Sequence, residues 1–301
     1  MNLSVVIPTR ERPERLARTL ESLQRQRLDG ISAEVVVVEN GAGASSIPAG
    51  AIAAGPLPVR VVQLAAAGTS RAHNRALREA RGDIVLFIGD DTRAAEPDLL
   101  ASHVALHRAS PSERYAVLGR VEWDPDSEVT EFMRWLEQAG FQFSFELLRP
   151  GPVSASRYMY TSHTSVKASL LGKHGGFDER FEFLLEHVEL GIRLERDGVT
   201  LDYHPELVVL HDHPQDLGDV VRRMEGVGAA ARKLRGKWPA ETPSEILAPR
   251  RRWALYPPAD LLARVGLAVG VGGRARERLW TVRLLAAYAR GYRDSAEAGA
   301  T

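Results

Sequence analysis

Short apolar runs alternate with stretches of helical periodicity through the first hundred residues. Residues 3–8, LSVVIP, form a β-branched run closed by Pro8, and residues 12–26 then place Leu16, Leu20 and Leu23 at i, i+4 and i+7 behind Pro13. Proline suits the first turn of a helix, so this pattern predicts a strand followed by an amphipathic helix. A second apolar run, 33–40, ends in Glu39-Asn40-Gly41; a third covers 59–64; a helical pattern fills 70–80; and a fourth run, 83–89, leads into Asp90-Asp91. Strands alternating with helices predict βαβ units and a sheet covered on both faces. Ligands bind such sheets beyond the carboxyl ends of the strands. Three of those ends are polar: Pro8-Thr9-Arg10, Glu39-Asn40 and Asp90-Asp91.

The second half is less regular. Helices are predicted over 96–109 and 128–140, a strand over 115–123, and a strand running into a short helix that stops at Gly175-Gly176. Residues 186–198 read as a helix with Val188, Ile192 and Leu194 inward, and 199–214 as a pair of strands with histidines at the end. From about 240 the composition shifts, with ten arginines from residue 250 onward and Trp253, Tyr256, Trp280 and Tyr288 between them. The expected organisation is a domain over 1–240, in halves 1–110 and 111–240, with an arginine-rich helical extension over 241–301. Packing or homodimerisation is the preferred role for that extension, and peripheral contact with an anionic membrane is the other.

Composition narrows the function. The 301 residues carry a formal net charge of +0, which gives no support to nucleic-acid binding. With no cysteine, disulfides, thiolate zinc sites and cysteine nucleophiles are excluded. The first residues lack the basic and apolar regions of a signal peptide, and no apolar run approaches the roughly 20 residues that span a bilayer. The expectation is a cytoplasmic protein, at most peripheral on the inner face of the membrane.

Adjacent aspartates at a strand end are inexpensive when solvated, and a plain turn is one reading of Asp90-Asp91. Opposite two other polar strand ends, they read better as ligands for Mg²⁺ or Mn²⁺, which use one or two carboxylates together with substrate phosphates. VVIPTRERPERLARTLESL, VVVVENG, SRAHNRALREARGDIVLFIGDDTRAAEPDLL and GGFDERF…LEHVELGIRL…LDYHPELVVLHDH, in this order over about 3–235, resemble a family 2 glycosyltransferase of the GT-A fold. That resemblance implies a mixed, mostly parallel, Rossmann-like sheet with flanking helices, and a hexosyltransferase-type enzyme. It also implies a nucleotide-sugar donor, most often of uridine, an acceptor bearing a hydroxyl, and Mn²⁺ or Mg²⁺ as cofactor. Asp91 would be the metal ligand and Asp90 would reach the ribose or metal-bound waters; Gly89 stands where many members carry a further aspartate. Pro8, Thr9, Arg10 and Glu39 match positions around the nucleotide, with Glu39 one methylene longer than the usual aspartate. A strand-terminating acid is the plain alternative for Glu39.

Arg71 matches an arginine near the diphosphate or base, or is simply a charged helix start. His211 matches a strand-end histidine that completes the metal site, with His213 as the alternative. The family's general base is an aspartate after a glutamate at a helix start. This chain keeps Glu186 but has His187 at the expected aspartate, so His187 or Glu186 would take the acceptor's proton, with Glu189 a turn further on. The expected reaction is inverting; an impaired or non-catalytic nucleotide-sugar-binding protein is the alternative. Loops 41–56 and 141–157 are candidate lids. A nucleotidyltransferase would need a glycine-rich loop after the first strand, and a polymerising membrane synthase would need membrane helices and a QxxRW segment; neither is present.

Overall fold

The computed structural model describes residues 1–41, 55–65, 68–244, 246 and 256–297; most of the candidate lid at 41–56, and Trp253, lie outside them. The strands are β1 (Asn2–Thr9), β2 (Ser32–Asn40), β3 (Val59–Leu64), β4 (Ile84–Ile88), β5 (Thr92–Ala94), β6 (Tyr115–Trp123), β7 (Gly151–Val153), β8 (His163–Lys167) and β9 (Thr200–His211). The helices are α1 (Pro13–Gln24), α2 (Thr69–Glu79), α3 (Leu99–Ala109), α4 (Glu131–Gln138), α5 (Ala155–Tyr158), α6 (Ala168–Lys173), α7 (Glu186–Arg196), α8 (Leu217–Lys237), α9 (Tyr256–Ala268) and α10 (Gly273–Glu297).

Among the described residues one sheet runs β3-β2-β1-β4-β8-β6-β9-β5, with β7 also paired to β9. Strands β1 to β4, β6 and β9 point one way, and β5, β7 and β8 run against them. The sheet is therefore mixed and mostly parallel, as expected. Val5, Val6 and Ile7 of β1, Val35 to Val38 of β2 and Ile84 to Ile88 of β4 are all buried, in one apolar core with Leu16, Leu20 and Leu23 of α1. Covering on both faces is why these strands read as continuous apolar runs rather than alternating ones.

Two details differ from expectation. Residues 200–211 form one strand, not two: the pairing of β9 with β6 runs to His204↔Gly119 and resumes at Val208↔Arg120. Pro205 has no N–H to give the ladder, so it is accommodated in the skipped stretch instead of ending the strand. In the candidate lid at 141–157, residues 151–153 pair with β9 and Phe145 is buried in the core, so that part is sheet and core.

The residues fall into two compact units, Met1–Glu128 with Phe143–His213, and Val129–Gln142 with Pro214–Thr301. The first holds the whole sheet. In the second, α8 and α10 cross at bare backbone: a Cβ on Gly228 would lie 2.0 Å from the Tyr288 carbonyl oxygen, and one on Gly291 would lie 1.7 Å from that of Glu225. Trp280 packs on Phe132 and Trp135, and buried Asp260 meets Arg264 at 2.9 Å and Arg283 at 2.7 Å. Helix α8 falls in the same compact unit as the arginine-rich tail.

A polar network lies buried between α3 and the sheet. His163 Nδ1 is 3.0 Å from the Arg120 carbonyl, which can only accept, so His163 Nε2 must accept in turn from His103 Nε2 at 3.1 Å. His103 Nδ1 then accepts from the Ser165 hydroxyl at 2.8 Å, and Ser165 accepts from His107 Nε2 at 2.9 Å. Each ring is neutral with one defined tautomer. Burial pushes His107 and His163 down to about 4, and His103 well below its ordinary value. The unfolded chain takes up protons on these rings below about pH 6.5 and the folded chain does not. Stability present above that pH is therefore lost as pH falls towards 4, by about 1.4 kcal/mol per pH unit for each histidine involved. Urea midpoints measured from pH 7.5 to 4.5 should fall through this window and flatten when His107 and His163 are both replaced by glutamine; a flat wild-type profile would contradict the account.

Candidate active site

The strand directions bring the carboxyl ends of β1, β2, β4 and β9 to one edge of the sheet. At the end of β1, the Thr9 hydroxyl donates to Asp90 Oδ2 at 2.8 Å, and the Thr19 hydroxyl on α1 holds the Asp90 carbonyl at 3.1 Å. The register sets Glu39 beside Thr9, and Gln63 Nε2 donates to buried Glu39 at 2.5 Å. The short strand β5 follows directly from Asp91 and pairs antiparallel with β9, Thr92 opposite His211. That pairing, together with the Asp212 N–H donating to the Asp91 carbonyl at 2.8 Å, delivers the end of β9 to the aspartates.

Asp91 sits between two imidazoles. His213 Nδ1 is 2.6 Å from its Oδ2, and His211 Nε2 is 3.6 Å from its Oδ1. The rings stack at 5.5 Å, and His211 is walled by Trp123 and Phe143 at 5.3 and 5.4 Å. One ligand atom from each of Asp91, His211 and His213 falls within 4.8 Å of the others. His211 Nδ1 is buried and has no hydrogen-bond partner among the described residues. A carboxylate with two imidazoles is a donor set that fits a divalent transition metal. Burial works against ionisation of Asp91, but the hydrogen bond with His213 and the closeness of His211 outweigh it and hold this carboxyl well below its ordinary range. Asp90 moves the other way: burial first, then the charge of Asp91, pushes it up.

Arg12 completes this cluster. Glu11 has φ 54°, in the left-handed region, and the turn it makes places Arg12 at the head of α1 facing inward. Arg12 Nη1 lies 3.3 Å from Asp90 Oδ1, 3.0 Å from Asp91 Oδ2 and 3.5 Å from His213 Nδ1. Sequence reasoning passed over this residue. Its one signal was electrostatic: a cation at the positive end of a helix is unfavourable unless anions face it.

A second cluster forms where α7 begins. Leu185 takes the left-handed conformation, with φ 61°, and turns the chain so that Glu186 enters the interior while His187 stays partly exposed. Glu186 Oε1 is 3.6 Å from His187 Nδ1, and Oε2 is buried with no hydrogen-bond partner among the described residues. Burial opposes the charge on Glu186, yet His187 beside it keeps it below the ordinary value. His73 of α2 is stacked on Phe177 at 4.6 Å and burial pushes it down to about 4. Rings join the two clusters: His187 to Tyr160 at 6.4 Å, Tyr160 to Phe143 at 5.5 Å, and Phe143 to His211 at 5.4 Å.

The remaining residues separate. Glu189 is fully buried in a two-pronged pair with Arg193, and so serves α7 itself. Arg71 is 3.7 Å from Glu179 and 3.4 Å from Glu182, bound to the loop after Gly175-Gly176. Asn74 pins that loop with hydrogen bonds to the Phe177 N–H and carbonyl, and Gly176, at φ 70°, lies where a Cβ would strike the Asn74 amide oxygen. Pro8 lies within β1, and Arg10 is exposed.

The description of glycosyl transferase family 2 matches residues 4–155, half the chain. The chain belongs to that family and is a glycosyltransferase. Glycosyltransferase YfnE of Bacillus subtilis (strain 168) is 28% identical over 269 residues, covering 73% of this chain and 67% of YfnE. Among solved structures, mannosyltransferase PcManGT from Pyrobaculum calidifontis, in complex with GDP-Man and Mn²⁺, matches 96% of this chain and 85% of its own, with a TM-score of 0.59 and 20% identity. TarS 1-349 of S. aureus, in complex with UDP-GlcNAc, matches 100% of this chain and 92% of its own, with a TM-score of 0.55 and 15% identity. The fold is GT-A.

Proposed function

We propose that this chain transfers a sugar with inversion from a nucleoside-diphosphate sugar, a UDP-sugar first among them, to an acceptor hydroxyl, and that a divalent cation assists. The observation that carries this reading is Asp91 held between His211 and His213 at the edge where Thr9, Glu39 and Asp90 also end. In this reading Asp91, His211 and His213 hold the ion; imidazole nitrogens favour Mn²⁺ over Mg²⁺, which prefers oxygen. When bound, the ion supplies positive charge that offsets the charge gathering on the departing diphosphate. Glu39, Thr9 and Asp90 bind the nucleoside. PcManGT and TarS, whose structures carry a nucleotide-sugar, support the donor class.

His187 is the proposed base. Glu186 faces Nδ1, holding the proton there and favouring the imidazolium that forms, so Nε2 is left to accept. The acceptor hydroxyl gives its proton to Nε2 as its oxygen bonds to the anomeric carbon. The bond from that carbon to the diphosphate oxygen breaks, and its electron pair leaves with the nucleotide. Incubation with UDP-sugars and Mn²⁺ tests the reading: release of UDP that depends on the metal is expected, and no release from any nucleoside-diphosphate sugar would go against it.

Arg12 has its own expected effect. Its guanidinium must give way before an ion can use Asp91 Oδ2 and His213 Nδ1, so it competes for the metal. Arg12→Ala should bind Mn²⁺ about tenfold more tightly in the absence of nucleotide, read by the loss of the free-Mn²⁺ paramagnetic resonance signal. Unchanged or weaker binding would remove Arg12 from this role.

A further inference from the structure

Helix α9 turns an apolar face to solvent. Leu261, Leu262 and Val265, with Val269 one residue past the end of the helix, are 63%, 72%, 55% and 73% exposed. They make up four of the seven exposed large hydrophobic residues among those described, the others being Met1, Leu147 and Phe183. At 100° per residue they lie within about a third of the helix circumference. Pro257, Pro258 and Ala268, also exposed, fall on or beside the same arc, and Arg264 stands at its border. The opposite side carries buried Ala263 and Asp260. A soluble helix normally turns its charges outward and its aliphatics inward; this one is reversed on its outer side.

The flanking sequence is basic. From residue 250 to 301 there are ten arginines against four acids, a net charge of +6 in a chain whose total is +0. Three of those arginines are consecutive, at 250–252, and Trp253 follows them. At the start of α10, Arg274 and Arg278 are exposed one helical turn apart and make no ion pair among the described residues. α9 has 13 residues, and no helix among those described is long and apolar enough to cross a membrane.

We propose that the α9 face is a docking surface for an anionic phospholipid bilayer, with α9 lying in the plane of the interface. The aliphatic arc enters the boundary between headgroups and acyl chains, and the arginines meet lipid phosphates. A second copy of this chain fits the face poorly. It would bring like charges together, and four aliphatic side chains fall well short of the roughly 800 Å² per partner of a stable interface.

The test is flotation of the full-length protein with vesicles of phosphatidylcholine alone or mixed with phosphatidylglycerol. Wild type should float with the mixed vesicles, stay behind with phosphatidylcholine alone, and be released by high salt. The double variant Leu261→Glu/Val265→Glu should lose association about tenfold or more, and Arg274→Ala/Arg278→Ala should weaken it while leaving the apolar face intact. Thermal melting of both variants at the wild-type temperature shows that the fold is kept. Failure of wild type to float, flotation of Leu261→Glu/Val265→Glu as efficient as wild type, or conversion of a sedimenting dimer to a monomer by that variant would overturn the proposal. None of these outcomes bears on donor binding, which rests on the other compact unit.

Discussion

His187→Ala should leave nucleotide binding unchanged and lower the rate of transfer by about two to four orders of magnitude, the usual worth of a positioned general base. The expectation rests on a division of labour across one peptide bond. Glu186 is buried and held in its charged form, so it can orient a neighbour but meets an acceptor only if the start of α7 shifts. His187 is partly exposed, with Nδ1 turned to that carboxylate. The loss should therefore appear in kcat and leave the donor's KM unaltered, because nothing that holds the donor has moved. Glu186→Gln should cost less, about tenfold, since the ring remains but loses the charge that favours its protonated form. If His187→Ala transfers normally while Glu186→Gln is inactive, the assignment of the base is reversed.

Asp91→Ala should abolish the metal dependence of nucleotide binding. Removing an outer-shell partner of a metal typically costs about 10–100-fold in affinity, and removing a direct ligand costs more. Two histidines alone would remain, with Arg12 still facing Asp90 at 3.3 Å. Asp91→Asn keeps the shape and the hydrogen bond to His213 but not the charge, so it should resemble the alanine variant. Both variants should lose the acid sensitivity that this carboxyl contributes. Its folded-state value lies below that of the unfolded chain. The stability it confers is thus present above about pH 4 and is lost only as pH falls through the folded-state value.

The strand ends were readable because burial on both faces leaves Val5–Pro8, Val35–Val38 and Ile84–Ile88 as unbroken apolar runs, so Thr9, Glu39 and Asp90 stand out where each run stops. The meeting of Asp91 with His211 was not readable in the same way. It depends on β5, three residues with no periodicity of their own, whose pairing with β9 is a long-range event. Residues 199–214 read as two strands, and only the register shift opposite Gly119 shows how one strand absorbs Pro205. Arg12 was hidden for a local reason: the left-handed backbone of Glu11 turns it inward, and a non-glycine residue in that conformation leaves no mark in the residue pattern. The ordered histidine network behind β8 was equally invisible, since His103, His107 and His163 look like scattered polar residues until α3 packs on the sheet.

Calorimetric titration of wild type and Asp91→Ala with UDP and with GDP, each with and without Mn²⁺, tests the central claim most directly. Binding of one nucleotide that needs Mn²⁺ in wild type and is missing from Asp91→Ala is the predicted result. Equal binding with and without the metal, or an Asp91→Ala variant that binds as wild type does, would contradict it.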